Sequence, residues 1–409
     1  MVIPLAVVAG LAAGSVGTIA VQGGPDGETP ATVTTMARTT TTTAPPAIAT
    51  DPSPPPVAST EPGPPADVVL LVWTSGGLPA GFPEAVAALP GVTGTTLVRA
   101  DVAGLTASYD ATGLPVDRVE PGYVIPVEVM AFDPATYPFF LPKEAVALFT
   151  SLRPGEALLG ETSARLRAIG RGGSLEFADG TVLTVAGIVD DVLIGAAEAA
   201  VIQGGESGGG VTDRYLLVRH SGERKQVESL IRGALPAGLE VRIRAPGETP
   251  VLRHGDAVLP QVAIKDRFGE FAYRADGDGR AFTQDEEWVI AHIVTADLPI
   301  VGTVHCHRSV MPFLEGALRE LADRSLAFLV DRSGFRGCHS ARFIGGGRGI
   351  SRHAWGVAVD LNFGANPEGT SAAQDPRLIE VMERWGFTSG HDWLVPDPGH
   401  FEFVRDPTP

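Results

Sequence analysis

The pattern of apolar and polar positions divides the chain into four stretches. Residues 2–21 are uncharged and mostly apolar. That is about the length of a membrane-spanning helix, and the lack of a small-x-small cleavage site favours an uncleaved anchor over a signal peptide. Residues 22–66 lose the pattern: Thr, Pro and Ala dominate, with Thr39 to Thr43 unbroken. Such a composition cannot bury a core and predicts a disordered spacer, reaching about 3.1 Å per residue where it is polyproline-like. From residue 67 short apolar runs return. Residues 68–72 read as a buried strand, and 84–89 as a short helix ended by Pro90-Gly91. Residues 175–177 and 182–185 read as a hairpin about Asp179-Gly180. Residues 215–218 read as a strand, 224–235 as a helix and 239–243 as a closing strand. Residues 67–250 are therefore expected to form a mixed α/β domain.

The fourth stretch, residues 251–409, opens with an expected edge segment at 262–265 and 268–271. Thr283 with Glu286 three residues on reads as a capping box before a helix at 288–291. Residues 301–307 read as a strand with His305 and His307 on one face, a candidate pair for a substrate cleft. Leu314, Leu318 and Leu321 share one face of a helix at 311–324. A strand is expected at 326–330 and a helix at 378–385, ended by Gly386. The fold class is α+β, with a small antiparallel sheet and flanking helices in this last domain.

Two of its strands carry the chemistry. Along residues 356–362 the alternation sends Val357, Val359 and Leu361 to one face and Ala358, Asp360 and Asn362 to the other. A carboxylate on an otherwise apolar strand is costly without a partner. Residues 397–403 repeat the logic, with His400 and Glu402 opposite Phe401 and Phe403. Two such strands side by side bring together His353, on the turn that Gly356 permits, Asp360 and His400. Two imidazoles and one carboxylate leave one corner of a tetrahedral zinc open, the catalytic pattern rather than the closed structural one. Asp397, across Pro398-Gly399 from His400, is the candidate general base and proton donor. Glu402 is expected to orient a ligand imidazole.

Charge and composition narrow the field. The net charge is −17 and no basic run stands out, which argues against nucleic-acid binding. The glycine clusters at 204–205 and 208–210 precede no Lys-Ser/Thr pair, so a phosphate-binding loop is unsupported. Cys306 and Cys338 are the only cysteines. In an exported protein such a pair suggests one disulfide; the alternative is two buried free thiols.

The spaced motif Ser351-x-His353-x-x-Gly356-x-Ala358-x-Asp360-Leu361-Asn362, with Asp397-x-x-His400-Phe401-Glu402 after it, resembles the VanY-type D-alanyl-D-alanine carboxypeptidases and the related L-alanyl-D-glutamate endopeptidases. The resemblance implies a zinc peptidase (Zn2+ as cofactor) acting on peptidoglycan stem peptides. It places the metal on His353, Asp360 and His400 and the acid/base on Asp397, with Ser351 and Glu402 in support. Asp rather than Glu at 397 is closer to the endopeptidase branch. Ser333-Gly334-Phe335-Arg336 is similar to the family's Ser-Gly-Tyr-Arg segment, which implies that Arg336 holds substrate. Trp393 resembles the aromatic before the last motif and is expected at the cleft. More diffusely, the stretch from Gly155 to Val189 resembles the extracytoplasmic domain of MacB/FtsX-type permeases, which implies a positioning role or a protein partner for residues 67–250. The combined expectation is a membrane-tethered, extracytoplasmic zinc peptidase. Its alternatives are an inactive wall-binding scaffold and a regulatory partner of a membrane complex.

Overall fold

A computed structural model of the chain describes residues 69–204, 213–277, 279–344, 349–371 and 373–407. The expected anchor at 1–21, the spacer at 22–66 and the glycine clusters at 205–210 and 345–347 lie outside the described residues. Among the described residues no helix is long and apolar enough to cross a membrane.

The front region is one ten-stranded mixed sheet. Its strands are β1 (Val69–Trp73), β2 (Val92–Tyr109), β3 (Pro115–Arg118), β4 (Ile125–Phe132), β5 (Glu156–Gly160), β6 (Ser174–Phe177), β7 (Val182–Val189), β8 (Ala199–Ile202), β9 (Asp213–His220) and β10 (Arg242–Arg244). Pairing runs β2-β4-β8-β5-β7-β6 and returns from β6 to β2, closing a six-stranded ring. Strand alternation explains its filling. Ile125, Val127 and Val129 of β4 join Leu105, Leu159 and Phe177 in one buried cluster, while Met130 and Phe132 face a second cluster. The first half of β2 instead pairs with β9, which pairs with β1 and through it β10. There Leu70 and Val72 pack on α1 (Phe82–Ala87) and α4 (Arg224–Gly233) through Phe82, Val86, Val227 and Ile231. Helices α2 (Lys143–Ser151) and α3 (Glu161–Leu166) complete the region. The hairpin about Asp179-Gly180 forms as β6–β7, with Leu175 opposite Leu183.

The C-terminal region adds α5 (Gln261–Phe268), β11 (Tyr273–Ala275), β12 (Phe282–Gln284), α6 (Glu286–His292), β13 (Ile293–Leu298), β14 (Gly302–His307), α7 (Met311–Asp323), β15 (Ala358–Asp360), α8 (Pro376–Arg384), β16 (Phe387–Gly390) and β17 (Asp397–Phe403). Its three-stranded sheet is antiparallel, in the order β15-β17-β16. Leu314, Leu318 and Leu321 of α7 bury against Val381 and Met382 of α8 and Phe401 and Phe403 of β17.

Several local expectations give way. Residues 261–268 are the helix α5, not an edge segment, because Gln261 and Lys265 bury with Ile264 and Phe268 once partners arrive from the front sheet. Thr283 lies on β12, and α6 is capped by Asp285, whose carboxylate accepts from Glu287 N. Residues 326–330 hold a 3-10 turn at Ala327–Leu329 rather than a strand. Pro398-Gly399 lies within β17 rather than forming a turn.

Two features tie the regions together. Val124 bridges Tyr273. Beside them lies a buried charge cluster: Lys265 Nζ is 2.9 Å from both Glu198 carboxylate oxygens and 2.8 Å from Glu270 Oε2. Arg167 Nη2 reaches the same two carboxylates at 3.1 and 2.9 Å, and Gln261 Nε2 donates to Glu198 at 3.0 Å. The side chains of Lys265, Arg167 and Glu198 have no solvent exposure. All described residues fall in one compact unit, residues 60–409.

Candidate metal centre

The site begins with a turn. Ser351 Oγ accepts from His353 N and opens a 3-10 turn, Arg352–Trp355, that ends at Gly356 with φ 65°. A side chain there would place its Cβ 2.7 Å from His307 N, so only glycine fits. The chain then enters β15, which pairs with β17 so that Asp360 faces His400 and Ala358 faces Glu402. This pairing brings the three expected ligands together. His353 Nε2 is 3.1 Å from Asp360 Oδ1 and 3.3 Å from His400 Nδ1, and Asp360 Oδ1 is 2.8 Å from His400 Nδ1. One donor atom from each residue lies within 4.8 Å of the others, and all three residues are buried.

Partners behind the triad decide which atoms face inward. His353 Nδ1 lies 2.9 Å from the Cys338 carbonyl. A carbonyl only accepts, so Nδ1 carries the proton and the Nε2 lone pair points into the site. His400 Nε2 lies 3.6 Å from Glu402 Oε1, which orients that ring the same way with Nδ1 inward. Glu402 is itself held by Val258 N at 3.2 Å. The Cys306–Cys338 disulfide forms and links β14 to the segment carrying the Cys338 carbonyl.

The electrostatics agree. Burial pushes the Asp360 carboxyl up, but hydrogen bonds and charge from His353 and His400 outweigh it and hold it well below the carboxylate range. Burial lowers His400, yet Asp360 and Glu402 outweigh it and push the imidazole up to about 10. Two ring nitrogens and a carboxylate converging on one point favour a positive charge between them, which a proton on His400 supplies without metal and a metal ion could supply in its place. The residues present therefore fit a metal ion.

The other expected residues scatter around this centre. Asp397 is half-buried at the start of β17, opposite Gly390. Burial raises its carboxyl, with Asp360 and Glu368 adding to the rise and His400 and His353 opposing it. The Trp393 ring packs 5.3 Å from that of His400. Arg336 is exposed: its backbone N donates to the Asp360 carbonyl at 3.1 Å, and its guanidinium lies 5.5 Å over the Phe363 ring. The His305–His307 cleft pair is corrected. His305 is exposed and bonds Thr295 Oγ1 at 2.8 Å. His307 is buried, 3.1 Å from the Phe268 carbonyl and accepting from Ser309 N. A cation missed in the sequence is Arg342, whose Nη2 lies 4.0 Å from Asp360 Oδ2. Its place shortly before Ser351, in the run leading to the metal motif, was the one available signal, and no periodicity marks it.

Residues 345–403 match the profile of a family described as D-alanyl-D-alanine carboxypeptidase. The C-terminal region resembles that family. Among curated proteins none matches the chain. Two solved structures are similar to the front region. The periplasmic region of MacB from Actinobacillus actinomycetemcomitans is 11% identical, with 44% of this chain and 90% of that chain covered and a TM-score of 0.29. The extracellular domain of the noncanonic ABC-type transporter YknZ from Gram-positive bacteria is 11% identical, with 43% and 98% covered and a TM-score of 0.27. They are the kind of domain that residues 155–189 resemble; at these TM-scores neither carries an argument.

Proposed function

We propose that the C-terminal region, residues 251–409, is a zinc-dependent peptidase that hydrolyses an amide bond in peptidoglycan stem peptides. The observation that carries this is the convergence of His353 Nε2, Asp360 Oδ1 and His400 Nδ1 beside a half-buried carboxylate, Asp397. His353, Asp360 and His400 would hold the metal, with Ser351 shaping the turn and Glu402 orienting His400. Zinc, when bound, supplies Lewis acidity and lowers the pKa of water to about 7. Asp397 takes the proton from the attacking water and returns it to the leaving amine. Arg342 and Arg336 provide positive charge on the substrate side, for a peptide carboxylate or the developing oxyanion. Trp393, against His400, walls the cleft.

In the same reading, residues 67–250, packed in one compact unit with the C-terminal region, position the enzyme or meet a protein partner. Residues 22–66 act as spacer and residues 1–21 as a membrane anchor, which puts the enzyme outside the cytoplasm. Mass analysis of purified peptidoglycan digested by the intact chain names the bond cut. Asp397→Asn is expected to keep the metal and lose about 10²–10⁴-fold in turnover. Full activity in that variant, or no product from the parent chain with zinc bound, refutes the assignment.

A further inference from the structure

Residues 251–259 join β10 to α5 and form neither helix nor strand. Such a segment has no ladder of its own, so its backbone groups must find partners elsewhere. From the front sheet the partner is Arg244, which lies on β10 opposite Leu71 of β1. Its Nη1 donates to the carbonyls of Arg253 and Gly255 at 3.1 and 2.7 Å. Its Nη2 lies 3.6 Å from Asp256 Oδ1, and its side chain is 13% exposed. One guanidinium thus ties residues 253–256 to the front sheet.

The residues that follow reach the candidate metal centre at three points. Asp256 Oδ2 accepts from Leu394 N at 2.7 Å, next to Trp393, whose ring packs 5.3 Å from that of His400. Val258 N donates to Glu402 Oε2 at 3.2 Å, and Oε1 of that carboxylate is the group 3.6 Å from His400 Nε2. The Leu259 carbonyl accepts from Arg352 Nη2 at 2.9 Å, and Arg352 directly precedes His353. Within four residues, the strap 256–259 therefore touches the supports of two of the three expected ligands. It meets the C-terminal sheet by discrete contacts rather than by close packing. A cavity of about 240 Å³ lies there, lined by Arg244 and Asp256 on one side and Thr388 and Trp393 on the other.

We infer that Arg244 is a positioning residue of the metal centre: by holding the strap to the front sheet it sets Glu402 and Arg352, and through them the His400 and His353 rings, so that the front region tunes how tightly the metal is held. This rests on the metal-site reading above, and it gives the front region a task. The groups behind a ligand imidazole aim its lone pair and are worth about 10–100-fold in metal affinity. Arg244 acts one contact further back, and its hydrogen bonds go to the strap rather than to the metal site, so its effect is smaller. A strap that merely linked the two regions would cost stability when loosened and leave metal affinity unchanged.

The test measures zinc affinity of the intact chain by competition with a chelator, so it does not depend on any peptide being cut. Arg244→Met is expected to weaken zinc binding about 2–30-fold, the size of a coupling carried through contacts. Leu183→Val, which trims a buried residue of the β6–β7 hairpin away from the strap, should keep the parent affinity. Arg352→Met loosens the strap at its other end. If both arginines act through the strap, the double variant loses less than the product of the two single losses. Unchanged affinity in Arg244→Met overturns the inference and leaves the metal site standing. An equal loss in Leu183→Val, or strictly multiplicative losses in the double variant, also overturns it. A parent chain that binds no zinc overturns the metal site and the inference together. Weaker binding in Arg244→Met from a chain that cuts no stem peptide supports the inference and removes the peptidase reading.

Discussion

Lys265→Met tests whether the buried charge cluster locks the front sheet to the C-terminal region. Lys265 and Arg167 are the two cations that face Glu198 and Glu270, at 2.8–3.1 Å. Lys265 also donates to the Pro126 carbonyl of β4. Methionine keeps most of the volume and removes the charge, so Arg167 alone must neutralise two carboxylates. Burial pushes Glu270 up, and Lys265 and then Arg167 hold it below its ordinary value. Breaking a buried pair by removing one partner costs about 3–5 kcal/mol, against about 0–1 kcal/mol for an exposed pair. Urea unfolding should therefore show a drop of that larger size with little change in slope. The loss should shrink as the pH falls, because the carboxylate left without its cation can take up a proton. Lys265→Met combined with Glu198→Gln should lose less than the sum of the two single changes. A loss below about 1 kcal/mol, or one that does not vary with pH, would refute the lock.

Three further outcomes follow from named contacts. Glu402→Gln weakens the carboxylate behind His400, so zinc affinity measured against a chelator should fall about 10–100-fold, with His353→Ala losing the metal altogether. His254 is held down to about 3, and His307 and His339 to about 4, in each case mainly by burial. These rings fold neutral and charge on unfolding, so stability is highest above the unfolded value near 6.5 and is lost as the pH falls below it. His254 alone should cost about 2 kcal/mol at pH 5, read as a lower melting temperature of the metal-loaded protein, in which His400 is not free to titrate. Reducing Cys306–Cys338, a separation of 32 residues, should cost about 3–4 kcal/mol in denaturant and weaken metal retention, since Cys338 supplies the carbonyl behind His353.

The grouping of His353, Asp360 and His400 was legible because its information is local. Alternation along 356–362 and 397–403 put Asp360, His400 and Glu402 on defined faces, and a one-residue slip would have exchanged them with Val359, Phe401 and Phe403. The antiparallel pairing of β15 with β17 then needed only to align Asp360 with His400. The helix at α7 and the β6–β7 hairpin were readable for the same reason, since their periodicity and turn residues lie within a few positions. What stayed hidden depends on partners far along the chain. Residues 262–265 read as part of an edge segment until Glu198, 67 residues before Lys265, makes a buried lysine tolerable in a helix. His307 reads as half of a substrate-cleft pair until Phe268 covers it, Arg342 has no marked place until it lies near Asp360, and the cavity exists only where residues 244–256 meet 388–393. Alternation along a strand is set by backbone geometry, residue by residue, whereas the burial of a charge is set by whichever groups the fold brings to it.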